Sequence, residues 1–149
     1  MIFRELMPIA DAMTDKVVEH YAEWQEGNGT LYAPGLEKDE CLAHLFGDNL
    51  RTYCLQDNLA LAAFGTILML QSDKQTGAYI SNVFVVPSKR GKGYGVEMMT
   101  RLEGEASGHQ ADAVTLHSET ENIDFYTQLG YYPLRTIDSD LHVLAKKIA

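Results

Sequence analysis

The apolar positions of the chain follow two rhythms, and the changes between them mark its elements. Ile2 to Met7 alternates as a short strand does. Ile9, Met13, Val17, Tyr21 and Trp24 then recur at spacings of three and four, which predicts a helix over Ala10 to Trp24. Gly27-Asn28-Gly29 ends it, a loop runs to Gly35, and Glu37 to Phe46 reads as a second helix before the break at Gly47-Asp48-Asn49. Thr52 to Gln56 reads as a strand and Asp57-Asn58 as a tight turn. Leu59 to Leu70 is almost wholly apolar, as a strand buried on both faces would be. After the polar turn Asp73 to Gly77, Ala78 to Val86 is another long strand, stopped by Pro87.

Beyond Pro87 the pattern changes. Gly91-Lys92-Gly93-Tyr94-Gly95 opens a helix whose positions Val96, Met99, Leu102 and Ala106 share a face, with Gly108 as its stop. Ala113 to Leu116 is a short strand. Ser118-x-x-Glu121 fits a capping box before a brief helix that ends at Gly130. Tyr131 to Ile137 and Leu141 to Lys146 read as a final pair of strands. The order β α α β β β α β α β β describes one mixed α/β domain over residues 1–149.

Composition narrows the function. At 149 residues with 46% hydrophobic and 22% charged residues, the chain is of ordinary globular make-up. No apolar run reaches the roughly 20 residues of a membrane span, and the first residues lack a signal-peptide pattern, so a cytoplasmic protein is expected. Cys41 and Cys54 are too few for a disulfide framework and are expected as free thiols. Cys41 and His44 lie one helical turn apart, but no second ligand pair with zinc spacing accompanies them, so no metal is expected. A net charge of −9 argues against nucleic acid and favours a small cationic partner.

One basic cluster stands out against this acidity: Lys89-Arg90-Gly91-Lys92, at the start of the glycine-rich turn. A helix N-terminus exposes unpaired N–H groups and a partial positive charge, and glycines let an anion approach the backbone. A diphosphate would sit on the amides of Arg90, Gly91, Lys92, Gly93, Tyr94, Gly95 and Val96, with Arg90 and Lys92 adding charge. The segment lacks the Gly-x-x-x-x-Gly-Lys-Ser/Thr of a nucleotide-phosphate loop. The dinucleotide pattern Gly-x-Gly-x-x-Gly/Ala also fails, because Val96 or Met98 falls at its third glycine position.

Arg90-x-x-Gly93-x-Gly95 after Val-x-Pro resembles the coenzyme A pyrophosphate loop of the GNAT superfamily of N-acetyltransferases. Phe125-Tyr126-Thr127-Gln128-Leu129-Gly130-Tyr131 resembles a second segment of that family, in the family's order and at about its distance. The resemblance implies a mostly antiparallel sheet whose central strands splay apart around the pantetheine arm of acetyl-CoA, the co-substrate. It implies that the backbones of Phe84 and Val85 pair with pantetheine amides, and that Tyr126 sits near the thioester sulfur and protonates or stabilises the departing thiolate. A phenol is protonated at neutral pH, so it can donate to that thiolate.

The amine must lose a proton to attack. The strand that often carries a glutamate in the family reads Ala78-Tyr79-Ile80-Ser81-Asn82-Val83, without a carboxylate. Asn82 is placed to orient substrate or a water, and His117 is the nearest titratable candidate for the base. Glu119 and Glu121 are further candidates that read better as helix-start acids. Asn122 corresponds loosely to an asparagine that contacts the coenzyme. Trp24, Tyr32, Asp39 and Tyr132 are candidates for the acceptor side, where aromatics beside carboxylates suit a cationic amine. The missing strand carboxylate keeps a second class open, an acetyl-CoA-binding sensor or interaction module without turnover. The residues leave the oligomeric state open; dimers are common in the family, and a symmetric homodimer is the general default.

Overall fold

The structure, a computed structural model, describes residues 1–27 and 38–148, with side chains described for 1–21 and 38–148. Seven strands form one sheet: β1 (Ile2–Glu5), β2 (Leu50–Asp57), β3 (Ala60–Gln71), β4 (Thr76–Val85), β5 (Ala113–Glu119), β6 (Tyr132–Asp138) and β7 (Leu141–Lys147). Four helices accompany them: α1 (Ala12–Gly27), α2 (Lys38–Leu45), α3 (Tyr94–Gly108) and α4 (Ile123–Gln128). The strand order is β1-β2-β3-β4-β5-β7-β6. Every pairing is antiparallel except β4 with β5. The parallel pair is joined through α3, the crossover that two parallel strands require.

The element order matches the pattern read from the sequence, and the two helical layers pack on opposite faces of the sheet. On one face, Met98, Met99, Leu102 and Ala106 of α3 are buried with Leu55, Ile67, Ile80, Val114 and Leu116. The approach is close at Gly65, where a Cβ would stand 2.7 Å from Leu102 Cδ1. On the other face, Met13, Val17 and Tyr21 of α1 and Cys41 and Leu45 of α2 are buried with Cys54, Phe64 and Phe84. β3 sits between β2 and β4 and is buried on both faces from Leu61 to Ile67, which explains its nearly unbroken apolar run.

Four readings of the pattern are corrected. Ile9 is 81% exposed, because Ala10 turns at φ 60° and α1 starts only at Ala12, capped by Asp11. Leu59 is 85% exposed in the β2–β3 turn beside Asn58 (φ 56°), so β3 begins at Ala60. Val96 is half-exposed, and the buried stripe of α3 begins at Met98. The capping box does not form: β5 runs on to Glu119, and the Ser118 hydroxyl donates to the Glu119 carbonyl (2.8 Å).

The corner between β1 and α1 is pinned by charge. Arg4 donates to both carboxylate oxygens of Asp11, each at 2.8 Å, and Asp11 also accepts from the backbone N–H groups of Met7 and Met13. The hydrogen bonds from Arg4, above all, hold the Asp11 pKa at about 2.

Candidate active site

The site begins with an irregularity in β4. Asn82 pairs with Thr66, but the next pair is Ile80 with Ile67, so Ser81 is an extra residue in the strand. Such a bulge bends its strand and adds twist. It lies where β4 leaves β5: their last paired residues are Ile80 and Leu116, and the two strands then diverge, Ser81 to Val85 on one side and His117 to Glu119 on the other. This is the splay that the family resemblance implies.

The bulge also resets which residues share a face. Ala78 and Ile80 pack on the α3 side. Without a bulge Asn82 would follow them there. Instead it lies opposite Thr66, whose hydroxyl meets that of Thr52 (2.8 Å), and Thr52 donates to the Leu45 carbonyl of α2 (2.6 Å). Asn82 therefore faces the α1/α2 layer, as does Tyr79. His117, one residue past the inward-packed Leu116, lies on the same face, and its ring meets that of Tyr79 edge-on (centroids 5.2 Å, 71°). Phe84 continues the row, with the His20 ring of α1 5.6 Å away.

Backbone polarity along the open edge follows from one bond. Val86 N–H donates to the Ala62 carbonyl (2.9 Å). By strand alternation the backbones of Phe84 and Asn82 turn to β3, while the N–H and C=O groups of Val83 and Val85 face the opening. Of the two residues expected at the pantetheine, Val85 thus presents its backbone to the opening and Phe84 its ring to the core. Val83, which the sequence pattern did not single out, presents a backbone N–H there as well.

The glycine-rich loop stands at the mouth of the opening. Gly91 (φ 78°) and Gly93 (φ 85°) adopt left-handed backbone, and a Cβ at either would meet no atom within 4 Å. Gly93 is the N-cap of α3, and the first N–H to bond back along the helix is that of Glu97, to Gly93 O (3.1 Å). The amides of Tyr94, Gly95 and Val96 thus lack helical partners and point outward. A groove of about 290 Å³ runs past them, lined by Val85, Arg90, Gly91, Gly93, Tyr94, Gly95, Val96 and Phe125. Gly95 is there for space: a Cβ would press on Phe125 Cζ at 3.3 Å.

Side chains brace the loop and charge it. Lys89 (3.2 Å) and the Tyr94 hydroxyl (3.1 Å) both donate to Asp57 at the end of β2, holding the Asp57 pKa below its usual range. Arg90 donates through Nε to the Val85 carbonyl (3.0 Å) with its guanidinium 5.4 Å from the Phe84 ring centre. Lys92 is exposed, without an ion pair among the described residues. Tyr94 thus offers the groove its backbone rather than its hydroxyl.

Tyr126 approaches from the other face. It packs with Val83 and Val85 against the α3-side core, its ring edge-on to Phe125 (5.1 Å) and Tyr131 (6.0 Å). Burial, and then the charge of Glu119, raises its pKa, so the phenol keeps its proton. Burial, and then the charge of Arg135, lowers that of His117, so the imidazole is neutral at pH 7. A proton donor and a proton acceptor thus lie on opposite faces of the sheet, on either side of the opening.

Apart from Glu119, whose charge acts on Tyr126, the other candidates fall outside this arrangement. Glu119 ends β5; burial, and then the charges of Glu121 and Asp140, raises its pKa. Glu121 and Asn122 are exposed in the turn before α4, and the Asn122 side chain makes no capping bond. Asp39 is exposed on α2, which packs against β2, and Tyr132 is half-exposed on β6 at the far edge, so these two do not converge. Tyr32 and the Trp24 side chain lie outside the described residues. Cys41 and Cys54 are free and buried. Among the described residues no cluster of three or more His, Cys, Asp or Glu could hold a metal, and no helix is long and apolar enough to cross a membrane.

The model of the Acetyltransferase (GNAT) family matches residues 10–131, and the chain belongs to this family of acyltransferases. An aminoglycoside 6'-N-acetyltransferase complexed with coenzyme A has the same fold (TM-score 0.83, 15% identity, covering 100% of this chain and 98% of that one). So does an aminoglycoside 6'-acetyltransferase type Ii (TM-score 0.79, 19% identity, covering 100% and 98%). PaiA N-acetyltransferase from Thermoplasma acidophilum, solved in complex with coenzyme A, aligns at TM-score 0.77 with 13% identity over 99% of this chain and 98% of that one. No curated protein matches the chain by sequence.

Proposed function

We propose that this protein is a cytoplasmic N-acetyltransferase that moves the acetyl group of acetyl-CoA to a primary amine of a small molecule or peptide by direct attack. The observation that carries the reading is the opening between β4 and β5, with an amide-rich helix N-terminus at its mouth and Tyr126 and His117 on its two sides.

The diphosphate of acetyl-CoA rests on the Gly93 to Val96 amides, with Lys92 and Arg90 adding positive charge. The pantetheine arm enters the splay, where the Val85 N–H supplies a hydrogen bond that β5 no longer makes. The Val83 N–H is available to the thioester oxygen as negative charge develops there. The ammonium of the acceptor gives one proton to His117, and the neutral amine attacks the carbonyl carbon. A C–N bond forms and the C–S bond breaks. The thiolate takes a proton from Tyr126, and the second proton lost by nitrogen passes through His117 and solvent to restore the phenol. The products are the acetamide, coenzyme A thiol and one proton.

Isothermal titration with acetyl-CoA, run beside ATP and NAD, tests the first half, and thiol release across an amine panel tests the second. One-to-one acetyl-CoA binding with no response to the other two is expected. Absence of acetyl-CoA binding at millimolar ligand would remove the assignment of the loop and of Tyr126.

A further inference from the structure

Asn82 is 4% exposed, and its Oδ1 has no hydrogen-bond partner among the described residues. The Ser81 hydroxyl beside it is likewise buried and unbonded. A buried amide oxygen without a donor is uncommon in a native fold, because its lost hydration goes uncompensated. The nearest hydroxyl in register offers no relief. Thr52 gives its proton to the Leu45 carbonyl, so the shared bond between Thr52 and Thr66 uses the Thr66 proton. These orphan atoms lie at the bulge, where β4 turns away from β5. The last pair is Ile80 with Leu116, so His117 stands across the opening from Ser81 and Asn82, on the same face as Asn82.

We infer that Asn82 is the residue that selects a primary amine: its Oδ1 accepts one N–H of the incoming nitrogen while a second N–H is turned to His117. This rests on the acetyltransferase reading and deepens it. A primary ammonium carries three N–H groups. One proton leaves through His117 to solvent; of the two N–H groups left on the neutral amine, one holds Asn82 and the other is turned back to His117, with the lone pair directed at the thioester carbonyl. An N-methyl amine keeps a single N–H once neutral, so either the Asn82 Oδ1 or His117 is left without a donor.

The test compares wild type, Asn82→Leu and Asn82→Asp. The probes are 1,3-diaminopropane and its N,N′-dimethyl derivative, each with acetyl-CoA. Thiol release, acetyl-CoA affinity and melting temperature are read for each protein. Wild type should prefer the primary diamine. Asn82→Leu should bind acetyl-CoA as wild type does and melt no lower, because no bond among the described residues is lost. Its kcat/KM for the primary diamine should fall about tenfold or more, with the preference over the N-methyl probe collapsing. Asn82→Asp, which keeps an acceptor oxygen, should retain the preference.

A melting temperature lowered by more than about 5 °C in Asn82→Leu would overturn the inference, since the amide would then serve the fold. An unchanged preference in that variant, or a wild type that binds acetyl-CoA but ignores the primary diamine, would overturn it too. A wild type that binds no acetyl-CoA would remove the acetyltransferase reading and this inference together.

Discussion

The two faces of the sheet differ in kind. The α3 face is a continuous apolar core of methionine, leucine and isoleucine, and what it offers the opening is one phenol and a helix N-terminus. The α1/α2 face is apolar near α1 but carries polar groups toward the bulge: Thr52, Thr66, Asn82, Tyr79 and His117. The lesson is a division of labour. An apolar face suits a coenzyme that is always the same, and a face that carries polar groups suits recognition of an acceptor. Substitutions on the first should alter coenzyme binding or leaving-group departure for every amine. Substitutions on the second should alter which amine reacts and at what pH.

The largest effect on the α1/α2 face is expected at His117. His117→Asn should lower kcat/KM by about a hundredfold or more, the usual contribution of a general base. The sign of the pH dependence follows from burial. The folded pKa of His117 lies below its ordinary value of 6.5, so the wild type should hold its activity on acidification to below pH 6.5. The variant should lose that acid limb. A limb left in place would assign the base to another group.

On the other face, Gly93→Ala should weaken acetyl-CoA binding by about tenfold while leaving amine preference intact. The new Cβ meets no atom, but φ of 85° costs an L-residue about 1–2 kcal/mol, and relief of that strain turns the amides away. Calorimetry on the variant checks it.

Next comes a change remote from both. Asp11→Ala removes a helix cap and the partner of Arg4, and should cost about 2 kcal/mol in denaturant unfolding. The folded pKa of Asp11 is about 2 against an ordinary 3.8, so its contribution is complete above pH 3.8 and fades as pH falls toward 2. The stability difference between wild type and variant should shrink over that range.

The smallest effect is a control within α3. Gly104 lies in mid-helix with open space around it, so Gly104→Ala should stabilise the fold by about 0.5–1 kcal/mol and leave acetyl-CoA affinity unchanged. Loss of affinity there would mean that the Gly93 effect reports general disturbance of the helix.

Much of this was legible along the chain, because it depends on local sequence. The glycines of the loop, the apolar run of β3 and the stop at Gly130 are each set by neighbours a few residues away, and the element order followed from them. What escaped depends on strand pairing. The extra residue Ser81 is visible only against β3, and without it the alternation of Ala78, Ile80 and Asn82 assigns Asn82 to the wrong face. The contact of Tyr79 with His117 crosses two strands joined by a long connection, and the open edge at Val83 appears only once the pairing is known. Ser118 carried a true capping signature, but β-pairing with His142 kept it in a strand. A signal for Asn82 did exist: an amide in an apolar strand needs a partner or a purpose.

The central claim is that Tyr126 acts on the leaving thiolate from the α3 side while the loop binds acetyl-CoA independently of it. Single-turnover thiol release and acetyl-CoA affinity, measured together on wild type and Tyr126→Phe, test it most directly. The account predicts equal affinity and a rate lowered by about a hundredfold or more in the variant. Equal affinity with an unchanged rate would contradict it and return Tyr126 to the packing of α4.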